Sequence, residues 1–140
     1  MSAISSRLQH ERKRANEAFQ CVTDANNESY AEEYKSLVRK TPMRIKSSGL
    51  AATLAFMFSK KGKNEHDLLY SQLADWLRKL HLLRVHSEQN ELVHQVIMLE
   101  NGEYRVVTGE ALAFVTWLRR FADGMIKKKE NGVHDGDIVL

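Results

Sequence analysis

Tyr104-Arg-Val-Val-Thr-Gly-Glu-Ala-Leu-Ala-Phe-Val-Thr-Trp-Leu-Arg-Arg-Phe-Ala-Asp-Gly-Met125 is the stretch on which the fold turns. Tyr104, Val107, Ala111, Phe114, Leu118, Phe121 and Met125 follow one another at alternating steps of three and four residues. That spacing draws one continuous apolar stripe along an α-helix. Gly109 falls inside the stretch and costs about 1 kcal/mol relative to alanine in a helix interior. Two readings of the helix start stay open. Either one helix spans the whole stripe, or it begins at Thr108 as N-cap with 103–107 as a separate turn.

The same periodicity recurs upstream. Leu69, Leu73, Trp76, Leu80 and Leu83 form a second stripe, with Asn64 as its expected N-cap and Glu65 and Asp67 in the first turn, where acids suit the positive helix end. Leu8, Ala15, Phe19 and Val22 mark a third helix that should stop near Asp24-Ala-Asn-Asn27. Tyr30, Tyr34, Leu37 and Val38 mark a fourth, kinked or ended by Pro42. A short helix with Met43 and Ile45 is then expected to lead to Gly49. Leu50, Leu54 and Phe58, with Ala51, Ala55 and Met57, form a compact apolar helix that Gly62 terminates. Leu92-Val-His-Gln-Val-Ile-Met-Leu99 has the length of a strand, but its apolar pairs at 92/93 and 96/97 recur every four residues and read as helix. Asn101-Gly102 reads as a turn.

One proline and seven glycines are too few to punctuate a strand-and-turn fold. The fold class is therefore all-α: a single-domain bundle of about six helices over 1–126, followed by an aperiodic, flexible C-terminal tail over 127–140. The 140 residues, 43% hydrophobic and 28% charged, suffice for one domain with a real core.

Charge is segregated along the chain. Lys35, Arg39, Lys40, Arg44, Lys46, Lys60, Lys61 and Lys63 stand in a window, 35–63, that contains no Asp or Glu. The whole chain has 21 basic and 18 acidic residues, net +3. Removing these eight leaves 13 basic against 18 acidic, net −5, for the remainder. A local positive field attracts a polyanion in a salt-dependent way, and nucleic acid is the natural candidate. The plainer reading is a solvated face. Lys60, Lys61 and Lys63 also sit at a helix end, where cations suit the negative dipole. Lys35, Arg39 and Lys46 share a face if the helix passes through Pro42, with Arg44 expected near them. Arg119 and Arg120 beside Trp117, and Arg105 beside Tyr104, are open to phosphate, a partner carboxylate or solvent.

The sequence carries no GxGxxG, no P-loop, no HExxH and no histidine pair at i, i+4. The lone Cys21 excludes an intrachain disulfide and a multi-cysteine zinc site, and it reads as a buried thiol. No catalytic residue, metal site or cofactor is expected. No apolar run reaches the roughly 18 residues that span a bilayer, and Met1-Ser-Ala-Ile-Ser-Ser-Arg7 has no apolar signal core, so a cytoplasmic protein without membrane contact is expected.

Three groups of residues resemble a known family. They are Gly49-Leu50 with Thr53-Leu-Ala-Phe56 and Ser59-Lys60; Leu73 with Trp76-Leu77; and Tyr104-Arg105, Thr108, Glu110-Ala-Leu-Ala-Phe114, Trp117-Leu118 and Arg120-Phe121-Ala122. Tyr34-Lys35-Ser36 before Pro42 fits as well. In this order, from about Arg14 to Gly124, they resemble the small helical subunit of the type III-B CRISPR effector, the Cmr complex. Gly109 and Thr41 depart from the pattern, standing where a better helix former and an apolar residue are expected.

The resemblance implies an all-helical, non-catalytic subunit in antiviral defence. Copies of it would stack head to tail along the filament of other Cmr subunits, and their basic faces would line the channel holding the guide RNA–target RNA duplex or the target strand. The expected nucleic-acid-binding residues are Arg39, Arg44, Lys46, Lys60, Lys61 and Arg120. The rival reading is a helical protein–protein scaffold module without direct RNA contact.

Overall fold

The structure, a computed structural model, describes residues 3–83 and 91–128. Among these the chain forms six helices and no strand: α1 (Ala3–Asn26), α2 (Ala31–Ser48), α3 (Leu50–Ser59), α4 (Asn64–Lys79), α5 (Leu92–Ile97) and α6 (Asn101–Met125). The expected all-α bundle is what forms. The expected tail beyond Lys128 lies outside the described residues.

Helix α6 is the axis of the bundle. Val107, Ala111, Phe114 and Leu118 of its stripe are buried, so Gly109 is carried within one continuous helix. The helix begins three residues before the stripe. Glu100 is the N-cap, and its side chain and that of Glu103 form a reciprocal capping box. Asn101 and Gly102 therefore lie in the first helical turn, not in a separate turn, because orphan N–H groups there are met by the box.

Cross-links fix the directions. Arg14 of α1 meets Glu110 and Phe19 meets Phe121, so α1 runs parallel to α6. Lys35 of α2 meets Ile126, while Gly49 and Ala51 meet Tyr104, so α2 runs antiparallel to α6. Gln72 of α4 meets Cys21 and Lys79 meets Glu17, so α4 opposes α1. The short α3 and α5 close one end.

Pro42 sits inside α2 without ending it. Leu37, Val38 and Ile45 are buried on both sides of it, and burial of about 1.5–3 kcal/mol per large side chain offsets the local loss of one backbone bond. Thr41, buried where an apolar residue was expected, donates its hydroxyl to the Leu37 carbonyl at 2.7 Å. That bond removes the cost of an unpaired hydroxyl in the core.

Two stripes were overread. Helix α4 starts at Asn64 itself, with Lys63 as N-cap, and ends at Lys79. His81 then takes the left-handed region at φ 60, and Leu83 reaches the core from the connection, not from the helix. On α1 the buried face is Ala18, Cys21, Val22 and Ala25, whereas Leu8 and Phe19 remain about half exposed, at 57% and 46%.

Candidate nucleic-acid interface

Two polar cross-links in the core show where charge is already committed. Tyr34 donates to Gln72 Oε1 at 2.6 Å, and Gln72 Nε2 donates to the Cys21 carbonyl at 3.2 Å, tying α2, α4 and α1. Burial raises the Tyr34 phenol and pushes the Cys21 thiol up to about 12, so the thiol is not a nucleophile near neutral pH.

The second is Glu110. Its carboxylate accepts two bonds from Arg14, at 2.7 and 2.9 Å, and one from the Trp76 indole at 2.8 Å, and it lies 2.9 Å from His10 Nε2. Burial alone would raise its pKa, but the bonds from Arg14, His10 and Trp76 outweigh that and hold it at about 2. Trp76 stacks on Phe114 at 5.5 Å, so the acid is wedged beside the aromatic core. Sequence reasoning missed this site. Its members are 34 to 100 residues apart, and the one local signal is an acid on the border of the α6 stripe.

The basic window folds into two separate arrangements. At about 100° per residue, Lys35, Arg39 and Lys46 fall on one flank of α2 and Lys40 and Arg44 on the other. The first flank faces α6. There Lys35 Nζ donates to the Ile126 carbonyl at 2.8 Å, and Arg39 pairs with Asp123 at 3.1 Å. Lys46 is exposed on that flank. Arg120 is exposed on α6, one turn before Asp123. Arg44 does not join this group, because its angular position carries it to the opposite side.

On that opposite side a cleft of roughly 300 Å³ opens between α2 and the α3–α4 junction, lined among others by Lys40, Arg44, Phe56, Lys60 and Lys63. The Arg44 guanidinium lies 4.3 Å from the Phe56 ring centroid and the Lys60 ammonium 5.5 Å from it. Glu33 and Glu65, which flank the acid-free window in sequence, also line the cleft. Four cations against two carboxylates leave a local charge of +2. None of the four forms an ion pair within 4 Å among the described residues. Burial lowers the pKa of His66, at the cleft wall, against the opposing pull of Glu65.

Lys61 points elsewhere, over Phe58 at 5.5 Å, beside Asp67, Tyr70 and Glu91. Of the six expected contact residues, then, the structure joins Arg44 and Lys60, sets Lys61 on a neighbouring face, and leaves Arg39, Lys46 and Arg120 on the α2–α6 side. Lys40 and Lys63 belong with the cleft. Their membership of the acid-free window was the available signal, but only the fold selects them from the eight.

Gly49 ends α2 and starts α3 at φ 94, a value L side chains rarely adopt. The Tyr104 hydroxyl accepts the Ala51 N–H at 3.0 Å and thereby caps α3. Phe56, later in the same helix, carries Arg44 over its ring on the cleft side.

An all-helical bundle with an unpaired basic cleft and no metal-ligating cluster among the described residues defines a small helical binding or assembly protein. The profile of the family described as CRISPR-associated protein (Cas_Cmr5) matches residues 10–125. The chain is 31% identical over 114 residues to the CRISPR system Cmr subunit Cmr5 of Thermus thermophilus, spanning 81% of this chain and 93% of that protein. It also superposes on the crystal structure of a CRISPR-associated Cmr5 family protein from Thermus thermophilus, with a TM-score of 0.71 and 29% identity over 84% of this chain and 96% of the other. The chain belongs to the Cmr5 family, the small helical subunit of the type III-B Cmr complex.

Proposed function

We propose that this chain is a non-catalytic subunit that stacks with further copies of itself beside the other Cmr subunits and touches target RNA through its basic side chains. The observation that carries the RNA contact is the cleft around Phe56, where four unpaired cations from two chain segments converge. Contacts of this kind hold phosphates without reading sequence. Arg44 and Lys60 are the strongest members of the cleft, Lys40 and Lys63 line it with them, and Lys61 adds charge on the neighbouring face. Lys46 and Arg120 add exposed charge on the other flank, and Arg39 contributes once Asp123 releases it.

A non-catalytic role is supported by the state of the titratable groups. Glu110, the one carboxylate among the described residues pulled far from its ordinary range, has its oxygens taken up by Arg14, Trp76 and His10. Stacking is supported by exposed apolar side chains, Leu8 and Phe19 of α1 and Ile97 and Met98 at the end of α5. No helix among the described residues is long and apolar enough to cross a membrane, which accords with work in the cytoplasm.

The test is charge reversal of Arg44, Lys60 and Lys61 to Glu in the assembled complex. Target-RNA affinity should fall, and the salt dependence should become shallower by about 0.7 per lost contact. Unchanged affinity and slope, with no RNA crosslink to residues 35–63, would favour the scaffold reading instead.

A further inference from the structure

From the Phe56 cleft we infer that this chain recognises an unpaired nucleotide, one base together with its phosphate, and prefers single-stranded RNA over a duplex. The inference rests on the reading that the cleft contacts RNA, and it names the form of RNA taken there.

A phosphate needs only charge, and scattered surface lysines would supply it. This cleft has a feature that phosphate binding does not require. The Arg44 guanidinium carbon lies over Phe56, 4.3 Å from the ring centroid. Phe56 is half-buried and is braced edge-on by His66 at 5.8 Å. The ring therefore backs the guanidinium in the cleft wall. A guanidinium plane and an aromatic ring are the surfaces on which unpaired bases stack. Lys40, Lys60 and Lys63 line the same cleft, so a nucleotide whose base stacked on Arg44 would bring its phosphate among three ammonium groups.

The size agrees. Roughly 300 Å³ is at the lower limit of small-ligand clefts and has room for one base, not for a helix. A paired base shows only its edges, since both faces are covered by neighbours, so A-form RNA has nothing to offer the Arg44–Phe56 pair. Charge alone would favour the duplex, which carries more phosphates per unit length. A preference for the single strand therefore reports stacking.

The experiment uses the purified full-length chain at low salt and three labelled probes of one length: single-stranded RNA, the same strand in a duplex, and a single strand with abasic sites. Binding is followed by fluorescence anisotropy. The single strand should bind at least about fivefold more tightly than the other two, the lower end of what one stacked base contributes. Arg44→Lys, which keeps the charge and loses the plane, and Phe56→Leu should each remove that preference, with the salt slope unchanged. Equal binding of the three probes that is nonetheless weakened by Lys60→Glu and Lys63→Glu overturns the inference and leaves the RNA-contact reading standing. Binding that ignores those reversals, or no binding of any probe, overturns both.

Discussion

Glu110 and Phe56 organise two regions that both gather basic side chains and are oppositely wired. Around Glu110, Arg14 and His10 converge on one carboxylate with short bonds, and the arrangement joins α1, α4 and α6. Around Phe56, Arg44 and Lys60 lie over the ring and Lys40 and Lys63 line the same cleft, with no carboxylate in ion-pair range of the four among the described residues. A charge committed to folding and a charge left for a partner look alike in a sequence. The difference is whether an acid from another helix reaches them.

The largest expected effect lies on the committed side. Glu110→Ala strips Arg14, Trp76 and His10 of their shared acceptor and should cost about 3 kcal/mol in chemical denaturation, since it leaves a buried charge uncompensated. If that cost is below 1 kcal/mol, the contrast between the two regions breaks.

The same carboxylate sets an acid limit. Its folded pKa of about 2 lies below its ordinary 4.5, so its stabilisation is complete above about 4.5 and is lost as pH falls through about 2. Glu110→Gln should remove that part of the acid destabilisation, visible as a flatter melting temperature between pH 5 and pH 2.

Smaller costs are expected at the neutral links. Gly49→Ala should lose about 1–2 kcal/mol, because the position sits at φ 94 and its new Cβ would meet the Tyr104 hydroxyl at 3.4 Å. Tyr104→Phe should lose about 1 kcal/mol through the uncapped Ala51 N–H.

On the uncommitted side, Arg44→Ala and Lys60→Ala should change stability by less than about 0.5 kcal/mol while weakening RNA binding by the assembled complex. Asp123→Asn sharpens the comparison from the other direction. It frees Arg39 from an exposed pair worth about 0.5 kcal/mol and should steepen the salt dependence of RNA binding, moving one cation from the first category to the second.

Legibility followed distance along the chain. The stripe of α6, that of α4 as far as Trp76, the helical reading of 92–99 as far as Ile97, and Gly49 and Gly62 as breaks rest on interactions within a few residues, and these came through. The errors lie where a local signal was overruled from afar. Pro42 argued for a kink or a stop, with a separate short helix after it, but buried neighbours on both sides carry α2 through. Leu8 and Phe19 fit a 3.6-residue period, yet α1 has too little opposite its outer edge to cover them. Asn101-Gly102 suggested a turn, while Glu100 and Glu103 supplied a cap.

The periodicity of the apolar residues, acting over one or two turns, determined by itself that this chain would be a helical bundle, and the acid-free window fixed which segment would carry its positive charge. Tertiary structure alone decided which of those cations remain available. Electrostatic pairing acts in space: Asp123 of α6, far outside the window, reaches Arg39 only when α2 and α6 pack, and Lys40 and Arg44 meet Lys60 and Lys63 only when α2 packs on the α3–α4 junction.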